Sequence, residues 1–256
     1  GKSNINFSAQ RGYQMEPEKL ELMNSEEFFD YVKDWYDGAE NLPRWYSNVY
    51  GTPWNLNNPS SSDFTQGTFD TTNFVNTDWQ DELFSRAAYE EYHLSFVGGN
   101  DRTSYYIAGG YHNQEGVVKP SDYKKYSLIS NTTAKISDRF NVSSNIRFTR
   151  TERQNFDDNN VGWNGAPYMA ALWQPPILPV YDDPNGRYFI NPIKPDFDNP
   201  LATLSGTDTR SRQNNLQAKV SANWEIFKKF RYTVNLIGKL GTGRNDSYTN
   251  RWDTYQ

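Results

Sequence analysis

Apolar and polar residues alternate with a period of two along much of this chain, which is the pattern of half-covered β-strands. Ile5, Phe7 and Ala9 oppose Asn4, Asn6, Ser8 and Gln10. Tyr92, Leu94 and Phe96 oppose Glu91, His93 and Ser95. Tyr105, Ile107, Gly109 and Tyr111 oppose Ser104, Tyr106, Ala108, Gly110 and His112. Residues 126–136 alternate less cleanly, because Ser130 and Thr132 fall on the apolar side. The pattern sharpens again with Val142, Ile146 and Phe148, then with Leu216, Ala218, Val220, Ala222, Trp224 and Ile226. It closes with Phe230, Tyr232, Val234, Leu236 and Leu240. About seven strands are expected, antiparallel because several turns between them are tight.

The segments run on the order of ten residues, longer than the usual five to six and close to the 9–11 that a tilted strand needs to cross a bilayer. Their links alternate in length. Tight turns are expected at Gly99-Asn100-Asp101, Ser137-Asp138 and Lys228-Lys229. Long links span about 14–88, 113–122 and 152–212, with a further one at 243–256. Long connections on one side and short ones on the other are the habit of outer-membrane barrels. Alternation alone equally suits a soluble antiparallel sheet with one wet face, and at this point both readings stand.

Within the first link, Phe28, Phe29, Val32, Trp35 and Tyr36 fall at helical spacing. Asn24 is placed to cap that helix, with Glu27 reaching back, and its aromatic face is expected to pack on the strands. The second link, with "WQPPILPVYDDPNGRYF", reads as stiff and turn-rich rather than helical.

Composition narrows the class. Only 36% of the 256 residues are hydrophobic, yet 16% are aromatic, which argues against disorder. A mean hydropathy of -0.90 excludes a long apolar helix but not a barrel, where only alternate residues meet lipid. Net charge is -5 without a basic tract, so no nucleic-acid partner is expected. Cysteine is absent, which removes disulfides and thiolate sites. The chain opens on Gly1 with neither an initiator Met nor a signal peptide, as expected for a piece of a longer or processed protein.

Catalytic chemistry finds little support. His93 and His112 share the polar face of one strand pair, but no thiolate accompanies them and Glu91 is the one near carboxylate in sequence. Asp157-Asp158 and Asp182-Asp183 raise a glycosidase pair, yet "YDDPNGRY" makes a turn for local reasons. Adjacent aspartates of this kind solvate loops or, less often, hold calcium; nothing in the pattern supports an ion, a metal or any other cofactor. Ligand binding is better served. Asp158, Asn160, Trp163, Asn164, Tyr168 and Trp173 set flat apolar faces beside short polar groups, a mixture that suits sugars and also peptides.

Five stretches carry a family resemblance: "LELMNSEEF", "TDWQDELF", "GGNDRTSYYIAGGYHNQEGVV", "SDYKKYSLISNTTAKI" and "NPLATL", in that order. Together they resemble the SusC/RagA family of TonB-dependent outer-membrane transporters, over most of the chain. The resemblance implies an all-β fold, about seven strands of a 22-stranded antiparallel transmembrane barrel, with long extracellular loops and a short helix in the first. The plug domain and the remaining barrel would lie outside this stretch. It implies no enzyme, an outer-membrane location in a Gram-negative cell, a SusD-like lipoprotein partner, and TonB acting through the plug. The cargo would be an oligosaccharide or another bulky nutrient; a peptide importer of the same family and a secreted soluble β-sandwich carbohydrate-binding module are the alternatives. On this reading Tyr105, Ile107, Tyr111, Leu128, Val142, Ile146, Val220, Trp224, Val234 and Leu236 face lipid. Ser104, Tyr106, Ala108, Gly110 and His112 face the interior, and Tyr92, Tyr126, Trp224, Phe227 and Phe230 are candidates for the aromatic girdles.

Overall fold

The computed structural model describes residues 3–36, 75–155, 167–181, 186–189 and 199–249. The chain divides into two compact units. The first is a seven-stranded sheet whose strands lie in sequence order, every neighbour hydrogen-bonded. The strands are β1 (Asn4–Gln14), β2 (Ala87–Gly99), β3 (Thr103–Glu115), β4 (Asp122–Ser137), β5 (Phe140–Asn155), β6 (Thr207–Phe227) and β7 (Phe230–Thr249). Pairing is antiparallel from β1 through β6. Side-chain bonds from Thr209 to Ser247, Asn214 to Thr242, Ser221 to Asn235 and Thr233 to Asn223 hold β7 against β6 in one continuous register.

The turns at the hairpin end follow local chemistry. Asn100 Oδ1 accepts from the backbone N–H of Arg102 and Thr103 at 2.9 and 2.8 Å, closing an Asx turn between β2 and β3. Lys229 adopts φ 71 between β6 and β7. Carried to the turn, the β6–β7 register pairs Ile226 with Phe230 and leaves a three-residue loop whose last member is left-handed, the type I turn plus bulge. Phe227 in that loop stacks on Phe230 with centroids 4.9 Å apart.

The strands reach beyond the ends that alternation predicts: β5 to Asn155, β6 from Thr207 and β7 to Thr249. Past the apolar rows both faces are polar, so the period-two signal vanishes while the backbone ladder continues.

The second unit comprises residues 17–85, 157–207 and 249–256. It contains α1 (Ser25–Tyr36), α2 (Trp79–Leu83), α3 (Pro167–Trp173) and α4 (Pro200–Gly206). The cap on α1 is the expected one. Asn24 Oδ1 accepts from the N–H of Glu26 and Glu27, and Glu27 Oε2 accepts from Asn24 N, all at 3.0 Å. The side chains of Phe29, Val32, Trp35 and Tyr36 lie outside the described residues. The helix-free reading of the second link is corrected by α3 and α4. Each begins with a proline, whose fixed φ and missing N–H suit the first helical position. Asn199 caps α4 through its Oδ1 to Leu201 N at 3.1 Å.

Buried apolar side chains concentrate in this second unit: Trp79, Leu83, Ala170, Ala171, Ile177, Leu178, Ala202 and Leu204. The fully buried sheet residues are instead small, among them Ala87, Ser95, Ala108 and Ser221.

Candidate functional site

Register places most apolar residues of the seven strands on one face. Ile5 aligns with Phe96, Phe7 with Leu94 and Ala9 with Tyr92. The rows continue through Ile107, Gly109 and Tyr111, then Ser130, Leu128 and Tyr126. Ile146, Phe148 and Val142 extend the face to Ala218, Leu216 and Ala222. The ten residues assigned to this face by alternation all lie on it. Leu128, Trp224 and Leu236 are 49%, 50% and 67% exposed, so among the described residues no second sheet seals the face.

The face has a defined upper rim. Tyr92, Tyr111 and Tyr126 form one row, with centroids 6.2 and 5.2 Å apart. The next row toward the long links is polar throughout: Arg11, Glu90, Asn113, Lys124, Glu152 and Arg212. At the other end stand Trp224, Phe227 and Phe230.

The hairpins step along the rows. The first hairpin's Gly99–Ser104 row runs through Thr133 and Ser143 to Ser221, whereas β6 continues to Phe227 before it turns. Those further residues span roughly 20 Å at about 3.3 Å each, across four interstrand gaps of about 4.8 Å, or roughly 19 Å. Turns lying in one plane therefore require strands tilted by about 45°, close to the tilt of membrane barrels.

The opposite face is polar, with Val97, Ile129 and Ile237 as apolar exceptions. Ser104, Tyr106, Ala108, Gly110 and His112 all lie on it, as expected. A cleft of about 230 Å³ opens here, lined by Glu91, His93, His112, Tyr123, Lys125 and Ser127. His112 Nδ1 stands 3.8 Å from Glu91 Oε2, and its Nε2 is 3.3 Å from Gln114 Oε1. Gly110 lets the strand pass closely, since a Cβ there would meet Ser127 Oγ at 2.7 Å. Among the described residues no group of three side chains is arranged to hold a metal ion; the cleft offers hydrogen bonds and charge.

The second unit holds a larger pocket of about 370 Å³, with Leu20, Leu22, Met23, Trp79, Trp173 and Pro175 in its wall. The "TDWQDELF" stretch builds it. Thr77 Oγ1 donates to Leu178 O at 2.7 Å and Trp79 Nε1 to Pro175 O at 3.0 Å. The buried Gln80 amide pairs twice with Leu20, accepting from its N–H at 2.9 Å and donating to its C=O at 2.8 Å. Ser25 Oγ donates to Val75 O at 2.6 Å. Asp78 caps α2 through the N–H of Gln80 and Asp81 and binds Lys19 at 3.4 Å. Burial works to raise the Asp78 carboxyl, but those two N–H donors and Lys19 outweigh it, so it titrates below the ordinary carboxylate value. Lys19 is raised in turn, chiefly by its bond to Asp81.

Of the six sequence-predicted ligand residues, Tyr168 and Trp173 sit on α3, about half exposed. Trp173 lines the pocket and Tyr168 does not. Asp158, Asn160, Trp163 and Asn164 lie outside the described residues. The pocket residues Leu20, Leu22 and Met23 went unassigned by sequence. Their neighbour "TDWQDELF" is the available signal, because its Thr77, Trp79 and Gln80 side chains find their partners on distant segments.

No family model matches the chain. TonB-dependent receptor P3 of Formosa agariphila is 30% identical over 155 residues, 59% of this chain and 15% of that protein. TonB-dependent receptor SusC of Bacteroides thetaiotaomicron is 25% identical over 175 residues, 59% of this chain and 17% of its own length. By sequence, this stretch is similar to part of TonB-dependent receptors of the SusC kind. The solved RagAB peptide importer in its closed-closed state shares the fold, with a TM-score of 0.72 at 21% identity over 96% of this chain and 29% of that one. The RagAB peptide transporter aligns with a TM-score of 0.73 at 20% identity. The chain spans about 15% of the P3 relative's length.

Proposed function

We propose that this sheet is part of the wall of an outer-membrane TonB-dependent transporter, its apolar face on hydrocarbon and its polar face toward the lumen. The observation that carries the reading is the exposed, largely apolar face, crossing seven strands at about 45° and ending on a tyrosine row and then a polar row. Only alternate residues need to be apolar in such a wall, which accounts for the low mean hydropathy of -0.90.

The protein works by gated passage rather than bond chemistry. Energy comes through TonB acting on a plug that packs against the polar face, where Gly110, Ala108 and Ser127 keep side-chain bulk low. The links 15–86 and 156–206 form the extracellular surface, which a SusD-like lipoprotein meets. The cargo is a bulky nutrient, an oligosaccharide or a peptide, with Trp173 and Tyr168 offering flat faces to either. The solved neighbours are the RagAB peptide importer and the RagAB peptide transporter, which favours the peptide arm.

The full-length receptor should fractionate with the outer membrane and show heat-modifiable gel mobility. A monodisperse, water-soluble protein without detergent would refute the wall reading. Growth of a deletion strain on defined oligosaccharides and on peptides separates the two cargo classes, and co-purification tests the lipoprotein.

A further inference from the structure

Beyond the rim of the apolar band, the same face of β5–β7 carries a surplus of arginine. Arg150, Arg210, Arg212 and Arg244 share it with Glu152, Asp208 and Asp246. Three of the arginines hold a carboxylate two residues along their own strand. Arg150 binds Glu152, Arg210 binds Asp208 at 3.0 Å and Arg244 binds Asp246 at 2.9 Å. Arg212 is left over and makes no ion pair among the described residues.

Its two cross-strand neighbours differ in sign. Arg212 aligns with Glu152 on β5, whose Oε1 accepts from Arg150 and which makes no ion pair with Arg212. On the other side, the Thr209–Ser247 and Asn214–Thr242 bonds set Arg212 directly opposite Arg244. Like charges directly opposite on one face of a sheet repel. An anion between two guanidiniums reverses that sign, and arginine's fork matches phosphate oxygens in particular.

We propose that Arg212 and Arg244, with Arg210 beside them, bind the phosphate of an anionic lipid in the outer leaflet; this rests on the wall reading above. The band decides between a lipid and a free anion. The apolar row of Phe148, Leu216 and Leu240 begins four residues along β6 from Arg212, roughly 13 Å at about 3.3 Å per residue. Asn214 and Thr242 lie between. An amphiphile meets the arginines with its headgroup and the apolar row with its chains, whereas free phosphate gains only the first.

The test uses the full-length receptor in a neutral detergent, titrated with a bis-phosphorylated lipid A and with its dephosphorylated form, and read by native mass spectrometry. The phosphorylated lipid should bind at least tenfold more tightly. R212Q/R244Q should abolish that preference, and R212K/R244K should retain part of it. Heat-modifiable mobility checks that each variant is folded; if the double variant fails, R244Q alone should lose about threefold. Equal binding of the two lipids by wild type overturns the proposal, as does displacement by inorganic phosphate at equal concentration. A heat-modifiable receptor blind to the phosphate refutes this inference alone, while a receptor soluble without detergent refutes the wall reading beneath it.

Discussion

Placing an arginine at successive heights on the apolar face measures where hydrocarbon begins and ends. On β6 the apolar run extends from Leu216 to Ile226, and Val220 lies near its middle. With strands tilted by about 45°, each residue climbs about 2.3 Å, so the run spans roughly 23 Å against a band of about 25 Å in known barrels. Val220 is then about 9 Å below Leu216, and Leu128, which shares the row of Leu216 two strands down the tilt, about 7 Å below it. An outward arginine costs about 2–4 kcal/mol at the midplane and about 0–1 at the interfaces. Val220→Arg and Leu128→Arg should therefore each cost about 2–4 kcal/mol, and the inward Asn215→Arg, opposite Thr149 on β5 and Gly241 on β7, close to zero. Guanidinium unfolding of the full-length receptor in liposomes, followed by tryptophan fluorescence, gives all three from shifts in midpoint. Equal costs for Val220→Arg and Asn215→Arg would break the facing argument, and a cost near zero at Leu128 beside a full one at Val220 would break the tilt.

Three further outcomes follow from the loops and turns. Gln80→Ala removes both bonds to Leu20 and strands that backbone, so about 2–3 kcal/mol of local stability is expected to go, seen as faster hydrogen exchange at residues 17–24. The Asp78 carboxyl is lowered from 3.8 in the fold, so its contribution is complete above that value and is lost as pH falls through the lower folded one. Exchange in α2 should accelerate in acid accordingly, and Asp78→Asn should flatten the profile. Lys229→Gly relieves a left-handed residue worth about 1–2 kcal/mol against a glycine entropy cost of about 0.5–1, so a small gain in stability is expected from the same unfolding assay.

The sheet was legible because its faces differ. Wherever one side of a strand is apolar and the other polar, as in Leu216 to Ile226, the period survives in sequence and fixes both strand and facing. Where both sides are wet, as from Thr207 to Asn214, the ladder persists on backbone bonds alone and leaves no trace. The helices α3 and α4 were missed because proline was weighed as a breaker, although at Pro167 and Pro200 it opens a helix. The loop pocket was illegible for another reason. Leu20, Trp79 and Trp173 meet through bonds such as Gln80 to Leu20, between segments far apart in sequence, which no local period records.

The order in which the strands lie also says how the wall assembles. From β2 through β5 every partner is the next segment, reached by turns of a few residues, whereas β1 joins across the link 15–86 and β6 across 156–206. Closing a link about ten times longer costs roughly 2 kcal/mol more in chain entropy. The meander β2–β5 should therefore zip first, with the first strand and the last hairpin adding later from either side. Pulse-labelled amides in β3 and β4 protected no earlier than those in β1 would contradict that sequence of events.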